Sequence, residues 1–253
     1  MRAILISAGK GERLYPLTKN TPKSLLEVGN GLTLLETQLH SLAENNIKDI
    51  VIIVGYKAEQ IEAKIKHYQG DMNITTVFNP FYDCSNNLLS VWMARNYMDS
   101  DFISINGDDI FSPTVIENLL KSKEDITMVI DEKPEYDDDD MKVVHHNHCI
   151  LEVSKKIEKD RANGESIGMI KFSNKGTKIY TSILEEMVRD PENRNAFYLK
   201  AIQRIIDKGF KVHYSVCKEE DWGEIDFHPD LELIRSYLKK TNYLDKIIQK
   251  KGK

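Results

Sequence analysis

The stretch that decides the fold runs from Leu5 to Leu26: "LISAGKGERLYPLTKNTPKSLL". A short apolar run leads into Gly9-x-Gly11, Arg13 follows, and Lys23 stands in a Thr-Pro-Lys triplet ten residues beyond Arg13. An apolar strand that ends in a glycine loop puts that loop at the carboxyl edge of a sheet, where open α/β sheets bind their ligands. Gly9 and Gly11 lack a Cβ, so the loop from Ala8 through Lys10 to Gly11 can take positive φ and turn its N–H groups onto phosphate oxygens. Two familiar phosphate loops fail on spacing. A Walker loop needs four residues between its first glycine and Gly-Lys-Ser/Thr. A dinucleotide fingerprint needs a third glycine where Leu14 stands. Pro16 and Pro22 stiffen the connection, because each sets its own φ and restricts the residue before it. Cations on so constrained a loop predict pre-organised charge aimed at a triphosphate.

Composition bounds the rest. The chain has 253 residues, 41% hydrophobic and 30% charged, with a formal net charge of −5. A chain of this size buries about 70–75% of its unfolded surface, so disulfides and structural metals are not needed. The charge balance argues against disorder and against a nucleic-acid surface, which is usually basic. Within residues 1–25, however, Arg2, Lys10, Arg13, Lys19 and Lys23 stand against one acid, Glu12. An acidic protein that gathers cations around a glycine loop is expected to hold an anion there. Cys84, Cys149 and Cys217 are odd in number and unpatterned, which suits a reducing cytoplasm. No apolar run approaches the ~20 residues of a membrane span, so no membrane insertion is expected.

"AILIS", "DIVIIVG", "ITTVF", "FISING" and "ITMVI" read as strands, with helical patterns such as "TLLETQLHSLAENN", "AEQIEAKIKHY" and "NLLSVWMARNYM" between them. This alternation predicts an α/β fold, a Rossmann-like and mostly parallel sheet flanked by helices. After Asp131, "DDDDMKVV", "CILEVSKKI" and "SIGMIKFS" read as antiparallel excursions. Helices at "GTKIYTSILEEMV" and "AFYLKAIQRIID", a strand at "KVHYSV" and helices from Pro229 to the end follow. The expectation is a single domain over residues 1–253. Residues to about 130 would hold the nucleotide, and those from about 131 a small antiparallel acceptor-binding subdomain and the C-terminal helices.

"SAGKGERLYPLTKNTPKSLL" resembles the opening of the nucleotidyltransferases that activate sugar phosphates and small phosphorylated alcohols, with Ser7 where alanine is more usual. "VGY" (Val54–Tyr56), "NGDD" (Asn106–Asp109) and "WGEIDFHPDLE" (Trp222–Glu232) follow in the order that family has, so the likeness spans the chain. The resemblance implies that Asp108 and Asp226 hold Mg²⁺ and that Gly55 and Tyr56 help bind nucleotide. The chemistry agrees, since Mg²⁺ commonly binds through one or two carboxylates plus substrate phosphates. Asp109 is expected either to cap the next helix or to lie behind the metal. Ser85, Asn86 and Asn87 are similar to the helix start, with paired asparagines, of bacterial cytidylyltransferases for phosphocholine and phosphonates, which implies CTP. Asn is also the plainest residue with which to cap a helix.

A small acceptor with a phosphate or phosphonate at one end and an amine at the other needs cations and carboxylates. Lys142 and Lys155 are the candidates for the anion, and Asp139, Asp140 and Glu165 for the ammonium, although an acidic run is commonly a solvated loop. A quaternary ammonium prefers aromatic faces. Tyr82, Trp92, Tyr198 and Trp222 are candidates for those faces, or else core residues. Only Tyr136 adjoins the acidic run in sequence, which favours a primary amine such as 2-aminoethylphosphonate over phosphocholine. "HHNHC" reads as strand and not as zinc site, because neighbouring His145 and His146 point to opposite faces. The expected reaction is in-line attack of an acceptor oxygen on the α-phosphorus of CTP, with Lys23 and Arg13 as the catalytic cations. The rivals are a sugar-1-phosphate uridylyl- or thymidylyltransferase and a catalytically silent nucleotide-binding regulator. Whether the chain pairs as a homodimer, and whether "KKGK" at Lys250–Lys253 is a natural end or a linker, is not legible here.

Overall fold

The computed structural model describes residues 1–68 and 71–240, so "KKGK" and the last of the expected C-terminal helices lie outside the described residues. In chain order the first half forms β1 (Arg2–Ser7), β2 (Glu27–Gly29), β3 (Leu32–Thr33), α1 (Leu34–Glu44), β4 (Asp49–Val54), α2 (Ala58–Ile65), β5 (Asn73–Phe78), α3 (Asn87–Met93) and β6 (Phe102–Asn106). Next come β7 (Asp109–Phe111), α4 (Pro113–Lys121), β8 (Ile126–Asp131), β9 (Lys142–His146), β10 (Cys149–Val153) and β11 (Gly164–Phe172). The remainder is α5 (Asn174–Val188), α6 (Leu199–Asp207), β12 (His213–Cys217), β13 (Trp222–Glu224) and α7 (His228–Lys240).

The main sheet runs in the order β5-β4-β1-β6-β11-β8-β12-β10-β9. Strands β5, β4, β1 and β6 are mutually parallel. Strand β11 lies antiparallel between β6 and β8, and β12 is parallel to β8. The hairpin of β9 and β10 is antiparallel, and β9 reaches back to pair with β11. The helix-flanked α/β sheet predicted from the alternation is therefore present; it is mixed and not mostly parallel, because β9, β10 and β11, all after Asp131, pair antiparallel. The "HHNHC" segment is the tip of that hairpin. Asn147 (φ 48°) and His148 (φ 63°) are both left-handed, the backbone that a two-residue turn between twisted strands demands. The His145 ring is engaged by the Asn163 carbonyl at 2.9 Å.

The central strands β1, β4, β6 and β8 are covered on both faces, which is why they read as mainly apolar runs instead of alternating. Ile4 of β1 and Phe102 of β6 pack against α3, α5 and α6. Ala3 and Leu5 point the other way, onto α1, α2 and α4. Helix α1 starts where Thr33 and Glu36 cap each other: Glu36 Oε2 accepts from the Thr33 N–H at 2.9 Å and Thr33 Oγ1 from the Glu36 N–H at 3.4 Å. A third, smaller apolar cluster joins Leu14, Leu26, Ile110, Ile225 and Leu231. It ties the loop after β1, the segment after Lys23, the β7–β13 ribbon and α7 into one platform beneath the site.

Candidate active site

Strand register delivers the site to one edge of the sheet. Ser7 pairs with Val54 and Ile6 with Asn106, so the glycine loop, Gly55 and the Gly107-Asp108 turn leave the sheet at the same level. A cleft of about 850 Å³ opens there, with Ala8, Gly9, Lys10, Gly11, Arg13 and Lys23 along one side. Gly11 takes φ 63°, and its carbonyl accepts from Thr18 Oγ1 at 2.6 Å and from the Leu14 N–H at 3.0 Å. Gly9 does not share the positive φ expected of it. Nothing lies within 4 Å of where its Cβ would stand, so it contributes open backbone in the cleft wall. Gly55 and Tyr56 do not line the cleft but stand behind the loop. The Tyr56 N–H donates to the Ala8 carbonyl at 3.0 Å, and a Cβ on Gly55 would come within 2.7 Å of that same oxygen.

The carboxylates meet because β7 and β13 pair. Glu224 stands opposite Asp109, and the Ile225 N–H donates to the Asp108 carbonyl at 3.2 Å. Asp108, Glu224 and Asp226 all line the cleft, with Asp109 fully buried behind them. Lys23 Nζ lies 2.8 Å from Asp108 Oδ2 and 2.6 Å from Asp226 Oδ1. Arg13 donates to Asp226 Oδ2 at 3.1 Å. Burial alone would lower the Lys23 pKa, but Asp108 and Asp226 outweigh it and hold the ammonium charged. Burial would likewise raise Asp226, and Lys23 reverses it to a net lowering. Glu224 is pushed up to about 8 by burial and then by the charges of Asp108 and Asp226. Asp109 is driven well up by burial and by Asp108 and Glu224, and among the described residues neither of its carboxylate oxygens has a hydrogen-bond partner. It does not cap α4, which begins at Ser112 and Pro113. Oxygens of Asp108, Asp109 and Glu224 lie within 4.8 Å of one another. This all-oxygen donor set, with Asp226 beside it sharing Lys23 with Asp108, fits a hard divalent ion such as Mg²⁺.

The opposite wall carries the acidic run. Asp139 pairs with Arg13 at 2.9 Å and Lys155 at 3.6 Å. Lys133, which the sequence did not single out, bridges Asp140 at 2.8 Å and Glu165 at 2.6 Å. Burial pushes Glu165 up to about 7, partly opposed by Lys133. Lys142 is not in the cleft. It is 2% exposed, and its ammonium donates to the Asp137 carbonyl at 2.9 Å, so it is spent on holding the acidic run in shape. Tyr136 is buried away from the cleft as well. Aromatic faces arrive instead from distant segments: Phe197 and Phe227 line the cleft, 5.2 Å from Lys155 Nζ and from the Arg13 guanidinium respectively. Tyr82, Tyr198 and Trp222 also line it, whereas Trp92 donates its indole N–H to Glu185 at 3.0 Å on the far side of α3.

Ser85, Asn86 and Asn87 line the cleft at the start of α3. Asn86 Oδ1 accepts from the Asn87 N–H at 2.7 Å, and Asn87 Oδ1 from the Tyr198 N–H at 2.8 Å. The pair thus caps the helix and anchors the segment before α6. Lys133 and Glu224 carried a weak sequence signal, since one follows the carboxyl end of β8 and the other sits two residues before Asp226. Phe227, next to Asp226, carried the same kind of signal, and Phe197 carried none.

The nucleotidyl transferase family model matches residues 2–238. The chain belongs to that family. Among relatives of this nucleotidyl transferase, the CTP:phosphoglutamine cytidylyltransferase of Campylobacter jejuni is 26% identical over 256 residues, covering 92% of this chain and 98% of that one. The bifunctional protein GlmU of Methanococcus aeolicus is 30% identical over 217 residues, 84% of this chain and 50% of GlmU, so the chain spans half the length of that relative. A solved CTP:phosphocholine cytidylyltransferase from Streptococcus pneumoniae shares the fold, with a TM-score of 0.77 at 23% identity over 94% of this chain and 98% of that one.

Proposed function

We propose that this nucleotidyl transferase moves a cytidylyl group from CTP to a small acceptor bearing a phosphate or phosphonate and an amine, and releases pyrophosphate. The observation that carries the reaction type is the convergence of Lys23, Arg13, Asp108 and Asp226 beside an open glycine loop at the carboxyl edge of the sheet. Support for CTP comes from the likeness to a cytidylyltransferase over nearly the whole of both chains.

An acceptor oxygen attacks the α-phosphorus in line, a new P–O bond forms, and the bond to the β-phosphate oxygen breaks with its electron pair leaving on pyrophosphate. That acceptor oxygen is already largely deprotonated near pH 7, since a phosphate monoester loses its second proton near pH 6, so no general base is needed. Asp108 and Asp226 would hold Mg²⁺, which supplies charge neutralisation on the phosphates. Lys23 and Arg13 add positive charge on the same side, and Ala8 to Gly11 offer the backbone that meets the triphosphate. Lys155, beside Arg13 through their shared Asp139, is the cation for the acceptor's anionic end. Asp140 and Glu165 share Lys133, and their carboxyl oxygens can accept hydrogen bonds from an ammonium in the cleft. Phe197 and Phe227, which also face Lys155 and Arg13, bring aromatic surface to the same cleft and support a methylated ammonium alongside a primary amine.

The test is pyrophosphate release with Mg²⁺ across CTP, UTP, dTTP and ATP, against phosphocholine, phosphoethanolamine, 2-aminoethylphosphonate and sugar phosphates. Fastest turnover is expected with CTP and an amine-bearing acceptor. The similarity to GlmU favours a second possibility, a sugar-phosphate acceptor, and the same panel decides it. Turnover confined to UTP or dTTP with a sugar phosphate overturns the cytidylyl assignment.

A further inference from the structure

Asp226 has cations on both of its carboxylate oxygens: Lys23 on Oδ1 at 2.6 Å and Arg13 on Oδ2 at 3.1 Å. The same Lys23 nitrogen is 2.8 Å from Asp108 Oδ2. The Lys23 side chain is 13% exposed and that of Arg13 48%, so the lysine lies between the carboxylates while the arginine covers them from the rim. Resting on the assignment of the metal to Asp108 and Asp226 made above, we propose that Lys23 is the resident counter-ion of the metal site. Its ammonium and a divalent cation need the same two oxygens and exclude each other, so Lys23 must leave the carboxylates when metal enters and is only then free to meet the triphosphate.

Geometry and charge both require the exchange. The ammonium, 2.8 and 2.6 Å from the two inner oxygens, occupies the ligand atoms that a divalent ion held by Asp108 and Asp226 would need at about 2.0–2.1 Å. Two cations sharing those oxygens repel strongly at any dielectric a protein offers. Conversely, Asp108, Asp109 and Glu224 crowd one place, and withdrawing Lys23 with nothing in exchange leaves Asp108 beside those acids without the lysine and Asp226 with Arg13 alone. The lysine therefore stays until another cation replaces it. A compact charge on a flexible four-carbon stem suits such a move better than a planar guanidinium does. The consequence is an interlock. While Lys23 is neutralised by the two aspartates it has little to offer a phosphate, so metal and nucleotide bind weakly apart and tightly together, and the coupling is reciprocal.

The experiment measures Mn²⁺ binding to the full chain without nucleotide, from the electron paramagnetic resonance signal of the free ion. Lys23→Met is expected to bind Mn²⁺ about tenfold or more tightly than the parent, because it removes a charge from between the ligands. Arg13→Met removes the same charge from the rim and is expected to gain about threefold or less, with screening by solvent. Asp226→Asn is expected to lose affinity. Equal gains in Lys23→Met and Arg13→Met overturn the interlock, because they show only a general effect of charge. No gain in Lys23→Met, with a loss in Asp226→Asn, overturns the interlock and leaves the metal assignment standing. Unchanged binding in both Asp108→Asn and Asp226→Asn overturns the metal assignment itself. A measurement free of variants guards against a Lys23→Met protein that does not fold: the ¹⁵Nζ resonance of Lys23 in the parent protein shifts on addition of Mg²⁺ alone if the exchange occurs, and stays in place if it does not.

Discussion

Glu224 and Asp109 face each other across the β7–β13 ribbon, two carboxylates paired in register with Asp109 fully buried. Burial and the neighbouring acids make ionising either of them unfavourable, and among the described residues Asp109 has no hydrogen-bond partner to compensate. The ribbon is therefore built for something other than stability. Asp109→Asn replaces a buried carboxyl that resists ionisation by an amide that cannot ionise and can donate to its carboxylate neighbours. It is expected to stabilise the protein without added metal by about 1 kcal/mol, a rise of roughly 2–4 °C in Tm for a chain of this length. Thermal unfolding in chelator checks this, and a lowered Tm would mean that Asp109 is stabilised by a contact its neutral isostere cannot make.

Lys23→Ala is expected to lower kcat about 10²–10³-fold while far-UV circular dichroism stays that of the parent, because the variant loses charge aimed at the transferring phosphate. Near-normal kcat in a folded variant would remove Lys23 from the catalytic group.

Asp108→Asn and Asp226→Asn each remove one anionic oxygen pair from the site facing Lys23. Both are expected to raise the Mg²⁺ concentration for half-maximal rate by about tenfold or more, in line with the loss of a charged ligand. Rate against Mg²⁺ at saturating CTP is the measurement. Parent-like curves in both variants place the metal elsewhere.

Glu165 gives the chain a pH dependence of definite sign. Burial raises its carboxyl from 4.5 to about 7, so the folded protein keeps a proton that the unfolded chain has given up. Its favourable contribution is complete below pH 4.5 and is lost as pH rises through about 7. Glu165→Gln cannot titrate and is expected to flatten the fall in Tm over that window. A profile as steep as the parent's would assign the slope to another group.

The parts of the site legible in the sequence are those that follow a strand without interruption. The glycine loop, Arg13 and Lys23 leave β1, and Asp108 leaves β6, so apolar runs alone placed them at one edge. The meeting of Lys23 with Asp226 spans 203 residues and depends on the β7–β13 pairing, which no local pattern announces. Only the family resemblance pointed to it. Lys142 and Lys133 show the limit most plainly. Both lie near the acidic run, yet one opens β9 and turns into the protein while the other follows β8 into the cleft. That choice is made by the pairing of β9 with β11, a tertiary contact and not a propensity.

Those two environments separate structure from acceptor binding. Lys142 spends its buried ammonium on the Asp137 carbonyl, and losing a hydrogen bond from a charged group costs about 1.5–3 kcal/mol. Lys142→Met is therefore expected to lower Tm by about 2–4 °C for each kcal/mol lost, as its principal effect. Lys155 is a third exposed, shares Asp139 with Arg13 and leans on Phe197, with nothing buried depending on it. Lys155→Ala is expected to leave Tm in place and to raise the acceptor KM about tenfold, with the KM for CTP little changed, because an acceptor phosphate loses one charge-assisted contact. Tm and both KM values measured on the two variants decide the matter. If Lys142→Met raises the acceptor KM at constant Tm, the acceptor's anion is bound on the β9 side and not at Lys155.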